Sequence, residues 1–385
     1  MSVIHRIALT FAGTVGAVAT AALALALAPA AGATTSAAPF ISHFGPPSTV
    51  ASTVPQNGDV NPYGVAVVGH STGKLHRGDV LISNFNDSQN AQGTGTTIVE
   101  VSPHGTVTQF AGINAAKLPG ACPGGVGLTT ALSILPGGWV VVGSLPTADG
   151  TSATASAGCL LVLDSYGKVR ETFAGHGING PWDMTATSYG NVAKLFVTNV
   201  LNGTQAANGA VTNHGTVLRL DLRLSGNPPK LLSTTTIGSG FGERTDPAAL
   251  VVGPTGVGLN SHGTLFVADS VGNRISAIAN AADRGTSAGT GATVTSGGTL
   301  NTPLGLAVAP NGDVLTVNGA DGTLLETTPG GRQVASQLLD NSVPSPQTTP
   351  PTPPGAGALF GLAVTPCGTG LYFVDDATNT LDLVR

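Results

Sequence analysis

From Asn301 to Gln337 the chain runs NTPLGLAVAPNGDVLTVNGADGTLLETTPGGRQVASQ, and its apolar positions fall in four short runs, LGLAV, DVLTV, TLLET and RQVAS. Turn residues break the runs at Pro310-Asn311-Gly312, at Asn318–Gly322 and at Pro329-Gly330-Gly331. Short Val/Leu/Thr-rich runs between Gly, Pro, Asn and Asp clusters predict an antiparallel meander of four strands. Such a sheet would carry Leu304, Leu306, Val308, Val314, Leu315 and Val317 on both faces, so it is stable only when like sheets stack on it.

The same pattern recurs. First strands are expected at Pro62–Val68, Gly125–Leu132, Pro181–Ala186, Pro247–Val252, Pro303–Ala309 and Leu359–Thr365. The third motif residue falls at Gly64, Gly127, Asp183, Ala249, Gly305 and Gly361, at spacings of 63, 56, 66, 56 and 56. Second strands follow, and five of the six reach Asn or Asp at one place: Asn84, Asn199, Asp269, Asn318 and Asp375, with Ser144 near it in the remaining copy. The last copy ends at Arg385 without a fourth strand, while Pro39–Gly45 resembles the fourth strands at Thr106–Gly112 and Lys168–Gly175. An N-terminal strand that completes the last copy closes a ring and removes two open sheet edges. The expected fold is all-β, a six-bladed β-propeller of four-stranded antiparallel blades.

The pattern P-x-G-x-A-V, then N-G-D-V-L or G-T-L-F-V-A-D-S, then G-N-R-I, seen at Gly263–Ile275 and Pro303–Val317, resembles secreted NHL-repeat six-bladed propellers. The resemblance covers Pro39 to Arg385 at the level of the repeat. It implies scaffolds, ligand binders, or enzymes of the lactonase, amidating-lyase and streptogramin-lyase kinds.

Composition fits this architecture: 385 residues, 41% apolar, 55 Gly and 26 Pro supply a core and many turns. A net charge of −5 with 9% charged residues and no Lys/Arg cluster leaves no electrostatic footprint for nucleic acid or an anionic membrane. Residues 1–33 read as an export signal, with His5-Arg6, an apolar stretch from Ile7 to Leu27 and small residues at Ala31-Gly32-Ala33. A linker at 34–38 would then lead into one propeller domain, 39–385, interrupted by a Pro-rich excursion at 343–357. The expected location is therefore outside the cell or at its envelope, as a monomer. In an oxidising compartment Cys122 and Cys159, both on the loop-rich side of the second copy, are the expected disulfide, and Cys367 is left over.

Long insertions at Asn84–Gly95, Thr147–Gly158, Leu201–Gly215 and Val343–Gly357 all emerge on one face of the disc. Their Ser, Thr and Asn content suits an extracellular protein or glycan partner, so a binding or scaffold module is the first functional expectation. Candidate ligand residues there are Tyr63, Trp182, Asp183, Glu243, Arg244 and Asp246, alternatively engaged in blade-to-blade hydrogen bonds. Asp269 and Asp375, the charged members of the Asn/Asp series, are candidate calcium ligands, since calcium takes oxygen donors. The competing reading of the series is a set of side-chain caps on repeated turns, and no cofactor is otherwise expected. His176 and His214 alone of the histidines fall on the loop-rich face. The second functional expectation is a metal-assisted hydrolase or lyase at the axial channel, with Asp183, Glu243, Asp246, Asp269 or Asp375 holding a divalent ion.

Overall fold

The computed structural model describes residues 38–247, 249–343 and 351–385, and Ala38–Arg385 forms one compact unit. The expected export signal, all but the last residue of the expected linker, and residues 344–350 of the Pro-rich excursion lie outside the described residues. Six antiparallel sheets make a β-propeller. Among the described residues no helix is long and apolar enough to cross a membrane.

Blade 1 is built from Val60–Val67, Val80–Asn86, Thr97–Val101 and Val107–Gly112. Blade 2 is built from Leu128–Leu135, Trp139–Ser144, Cys159–Leu163 and Val169–Phe173. Blade 3 has longer strands, Gly180–Tyr189, Val192–Val200, Thr212–Arg223 and Lys230–Asp246, and carries a short fifth, Leu250–Val252. Blade 4 comprises Pro254–Leu259, Leu265–Asp269, Arg274–Ile278 and Ala292–Ser296. Blade 5 comprises Pro303–Val308, Val314–Asn318, Thr323–Thr327 and Gln333–Leu338. Blade 6 joins Leu359–Val364, Leu371–Asp375 and Thr380–Val384 to Ser48–Ser52 from the other end of the chain. First strands of consecutive blades touch all the way round, blade 6 against blade 1 included.

The apolar runs are continuous rather than alternating because both faces of each blade are covered. In blade 4, Leu265 and Val267 pack toward blade 3, whereas Phe266 and Ala268 pack toward blade 5. Each seam between neighbours holds such a cluster, and the one sealing blade 6 to blade 1 runs on into the axis. The disulfide joins Cys122 to Cys159 across 37 residues and ties the blade 1–blade 2 connection to the third strand of blade 2. Closing a loop of that length stabilises by about 4 kcal/mol in the chain-entropy model. Cys367 is a free, exposed thiol.

Three expected strands are placed differently. The closing strand is Ser48–Ser52, paired with Thr380–Val384, and Phe40–His43 is a 3-10 turn. That turn buries Phe40 and Ile41 in the blade 5–blade 6 seam, and their N–H groups go to the Glu326 carboxylate at 2.8 and 2.9 Å instead of to a ladder. The first strand of blade 2 lies three residues on from Gly125–Leu132, at Leu128–Leu135. In blade 4 the first strand is Pro254–Leu259, and the Pro247–Val252 segment supplies the fifth strand of blade 3, paired with Arg244–Asp246.

Removal of residues 38–52 should therefore lower the melting temperature and broaden the transition. It exposes the edge of Thr380–Val384, strips Glu326 of two donors and loses two buried side chains worth roughly 1.5–3 kcal/mol each. Thermal unfolding followed by circular dichroism checks this, and an unchanged melt would show that the ring does not need its N-terminal closure.

Candidate functional site

At the axis the first strands approach backbone to backbone. A Cβ on Gly305 would lie 1.8 Å from the Phe360 carbonyl oxygen, and one on Gly361 would lie 2.2 Å from that of Tyr63. Gly64 and Gly256 occupy the same level in blades 1 and 4, as their places two residues after Pro62 and Pro254 show, those prolines pairing with Asn84 and Asp269. In blades 2 and 3 the position is held by Thr130 and Asp183, so these two side chains break an otherwise bare ring.

One residue earlier stand Tyr63, Trp182, Leu304 and Phe360, which fill the axis on the loop-rich side. The Tyr63 ring stacks between Phe85 and Phe360 at centroid distances of 4.5 and 4.0 Å, and Trp182 lies 6.3 Å from both Tyr63 and Phe360. Blade 4 has only Thr255 at this level, and Leu250–Val252 fill the space instead, with the Val251 carbonyl accepting from Trp182 Nε1 at 2.9 Å. Leu250 is held at φ 61°, a left-handed conformation that leucine takes only when packing compels it.

Beyond this plug the axis opens into a cavity of about 380 Å³, lined by the later halves of all six first strands. Exposure rises along those strands toward the short-turn face, from Leu306 to Ala307 and Val308 in blade 5, which places the opening there. Most lining side chains are aliphatic, with Thr130, Ser133, Thr185 and one carboxylate, Asp183, yet the surface that faces the cavity is more polar than apolar. Asp183 Oδ1 accepts from the Met184 N–H at 2.7 Å and Oδ2 from the Val257 N–H at 3.1 Å. Burial outweighs those two bonds and pushes its pKa up to about 7. The Thr130 hydroxyl is buried without a hydrogen-bond partner among the described residues.

The other sequence candidates lie elsewhere. Tyr63 and Trp182 belong to the plug, 2% and 3% exposed. Glu243 is buried in the outer strand of blade 3, accepting from the Asn202 N–H at 2.9 Å and Asn202 Nδ2 at 3.2 Å, and burial raises its pKa. Arg244 pairs with Asp246 at 2.8 Å in the hairpin that carries Leu250. Asp269 holds Arg274 Nε at 2.8 Å and the Gly272 N–H at 3.0 Å. Asp375 accepts from the Thr378 N–H at 3.1 Å, and burial, then Asp340, raises its pKa to about 6. Asn199 and Asn318 likewise accept from the Asn179 and Asn301 N–H groups at 2.8 and 3.0 Å. Four members of the series thus accept backbone N–H groups of neighbouring loops, whereas Asn84 donates Nδ2 to the Thr53 carbonyl at 3.1 Å. Asp269 already has a guanidinium for its counter-charge, and these oxygens do not converge as calcium coordination requires.

Sequence reasoning passed over Thr130, because the expected blade 2 register put Gly127 at its level, and Asp376, which follows the repeated Asp375. Asp376 lines an open cleft of about 600 Å³ on the loop-rich face with Ser88, Asn90, Ser342 and Asn379. Burial and then the Asp375 charge raise its pKa to about 7.

No family model and no curated protein matches the chain. Solved structures resemble it over most of its length. A protein provisionally assigned as a gluconolactonase shares 13% identity at a TM-score of 0.50, covering 88% of this chain and 91% of its own. A gluconolactonase from Xanthomonas campestris shares 14% at a TM-score of 0.49, covering 90% and 96%. A catalytically inactive virginiamycin B lyase from Staphylococcus aureus shares 15% at 0.47, covering 89% and 87%. At these identities the likeness is one of fold, a six-bladed propeller.

Because the Asp183 carboxyl binds its proton more tightly folded than unfolded, it contributes stability below about pH 4 that is lost as pH rises through about 7. Asp183→Asn should flatten that fall. Denaturant unfolding at pH 5 and pH 8 checks it, the difference between the two pH values being smaller in the variant; equal differences would mean that Asp183 ionises as an exposed carboxylate does.

Proposed function

We propose that the chain is an exported NHL-type propeller that works as a hydrolase or lyase on a small uncharged molecule in the axial cavity. The observation that carries this reading is Asp183: at a level where four of six blades have glycine, a carboxylate with near-neutral pKa faces a cavity large enough for a small substrate. Such a group exchanges protons readily at physiological pH, which general acid–base catalysis requires. In a hydrolysis the ionised carboxylate takes the proton of the attacking water and returns it to the leaving oxygen. Among the described residues no Lys, Arg or His lines the cavity to pair with an anionic substrate.

A divalent ion does not fit this wall. One carboxylate and a few hydroxyls fall short of the six to eight oxygens that calcium takes, so proton transfer in the cavity falls to Asp183 itself. A binding role has its own support in the polar cleft around Asp376. Its Ser, Asn and carboxylate lining suits hydrogen bonding to a glycan or to an extracellular protein by a monomeric, exported chain.

Turnover of a panel of neutral lactones and esters tests the proposal. The wild type should show a rate that rises with pH through about 7. Asp183→Asn should lower it about 10²- to 10⁴-fold. Turnover that survives the substitution would overturn the role of Asp183. No turnover, together with glycan binding abolished by Asp376→Asn, would establish the binding role instead.

A further inference from the structure

Blades 1 and 5 carry a glutamate at one and the same place in the third strand. Glu100 pairs with Leu81 and Glu326 with Leu315, each leucine ending a Gly-Asp-Val-Leu second-strand start at Gly78–Leu81 and Gly312–Leu315. Both carboxylates are buried, 2% and 0% exposed, and a buried charge must be met by donors or a cation.

Blade 5 meets it with N–H groups. Glu326 accepts from the Phe40 and Ile41 N–H groups and from Asn311 Nδ2 at 2.9 Å, and Asn311 Nδ2 also reaches Asp313 at 3.1 Å. Blade 1 has no such turn against it. Glu100 Oε1 accepts one N–H, from His76 at 2.7 Å, and among the described residues Oε2 faces no donor but His76 Nδ1 at 3.5 Å. Asp79 Oδ2 stands 3.9 Å from the same nitrogen, and neither carboxylate pairs with Lys or Arg. Where blade 5 bridges its two carboxylates with an amide, blade 1 bridges them with an imidazole.

We propose that His76, Asp79 and Glu100 form a binding site for a divalent transition ion of the zinc class, on the short-turn face and away from the axial cavity. The three ligand atoms all lie within 4.8 Å of one another. Four ligands at zinc bond lengths sit about 3.4 Å apart; His76 Nδ1 already stands 3.5 and 3.9 Å from the two carboxylate oxygens, and small rotations of the exposed His76 and partly exposed Asp79 side chains close the rest. Imidazole with two carboxylates is a borderline-soft donor set that favours zinc over calcium, and water completes the tetrahedron. The ion would supply for Glu100 the counter-charge that the N-terminal turn supplies for Glu326. It would also fasten the turn between the first two strands of blade 1 to its third strand.

Calorimetric titration of the chelator-treated full chain with zinc chloride tests this, together with the melting temperature in the presence and absence of the metal. One zinc per chain and a raised melting temperature are expected. His76→Ala, at an exposed position, and the isosteric Glu100→Gln should each weaken binding at least about tenfold. His262→Ala, on the same face, should leave it unchanged. Absence of saturable zinc binding by the wild type, or binding that His76→Ala and Glu100→Gln leave intact, would overturn the site.

Discussion

The structure depends on one steric constraint, the closeness of six first strands where they meet at the axis. At the level of Gly305 and Gly361 a neighbouring carbonyl oxygen occupies the place a Cβ would take. One residue earlier the same convergence forces large side chains together, and Tyr63, Trp182, Leu304 and Phe360 close the loop-rich end. The cluster they form is continuous with the seam between the last blade and the first, so the packing that closes the ring and the packing that plugs it are one apolar body. What the plug leaves is a blind cavity opening on the opposite face. Asp183 acquires its chemistry from this arrangement, because it stands buried in the bare ring with two N–H donors.

Much of this architecture was legible in the sequence. Four-strand meanders, six copies, closure by an N-terminal strand and the recurrent Asn/Asp position follow from turn residues and period, the pairing of Cys122 with Cys159 was expected from their shared loop-rich side in an oxidising compartment, and the structure has each of them. The particular closing strand was not legible, for a physical reason. Ser48–Ser52 is an outer strand with exposed and half-exposed residues, so it bears no apolar signature, whereas Phe40 and Ile41 are buried and imitate one. The segment Pro247–Val252 misled for a related reason: it is as apolar as a first strand because it fills the axis where Thr255 is too small. Sequence period reports burial, and a plug is as buried as a strand.

The site was legible in part. Asp183 was a candidate, but it was expected among loops on the decorated face, with Tyr63 and Trp182 beside it as ligand groups. Side-chain direction separates them, since consecutive residues of the same first strand put Trp182 into the plug and Asp183 onto the cavity. Neither Thr130 nor the Glu100 cluster could be found by spacing alone. The first needed the strand register of blade 2, and the second needed the contrast with Glu326, whose donors come from a turn nearly three hundred residues earlier in the chain.

The chemistry of the cavity turns on Asp183 being a desolvated carboxyl. The most direct measurement is a ¹³C NMR titration of its carboxyl carbon, assigned by comparison with Asp183→Asn. A midpoint near 7 is the predicted result. A midpoint at about 4, the ordinary range for an aspartate, would show the cavity to be filled with bulk-like water and would contradict that role.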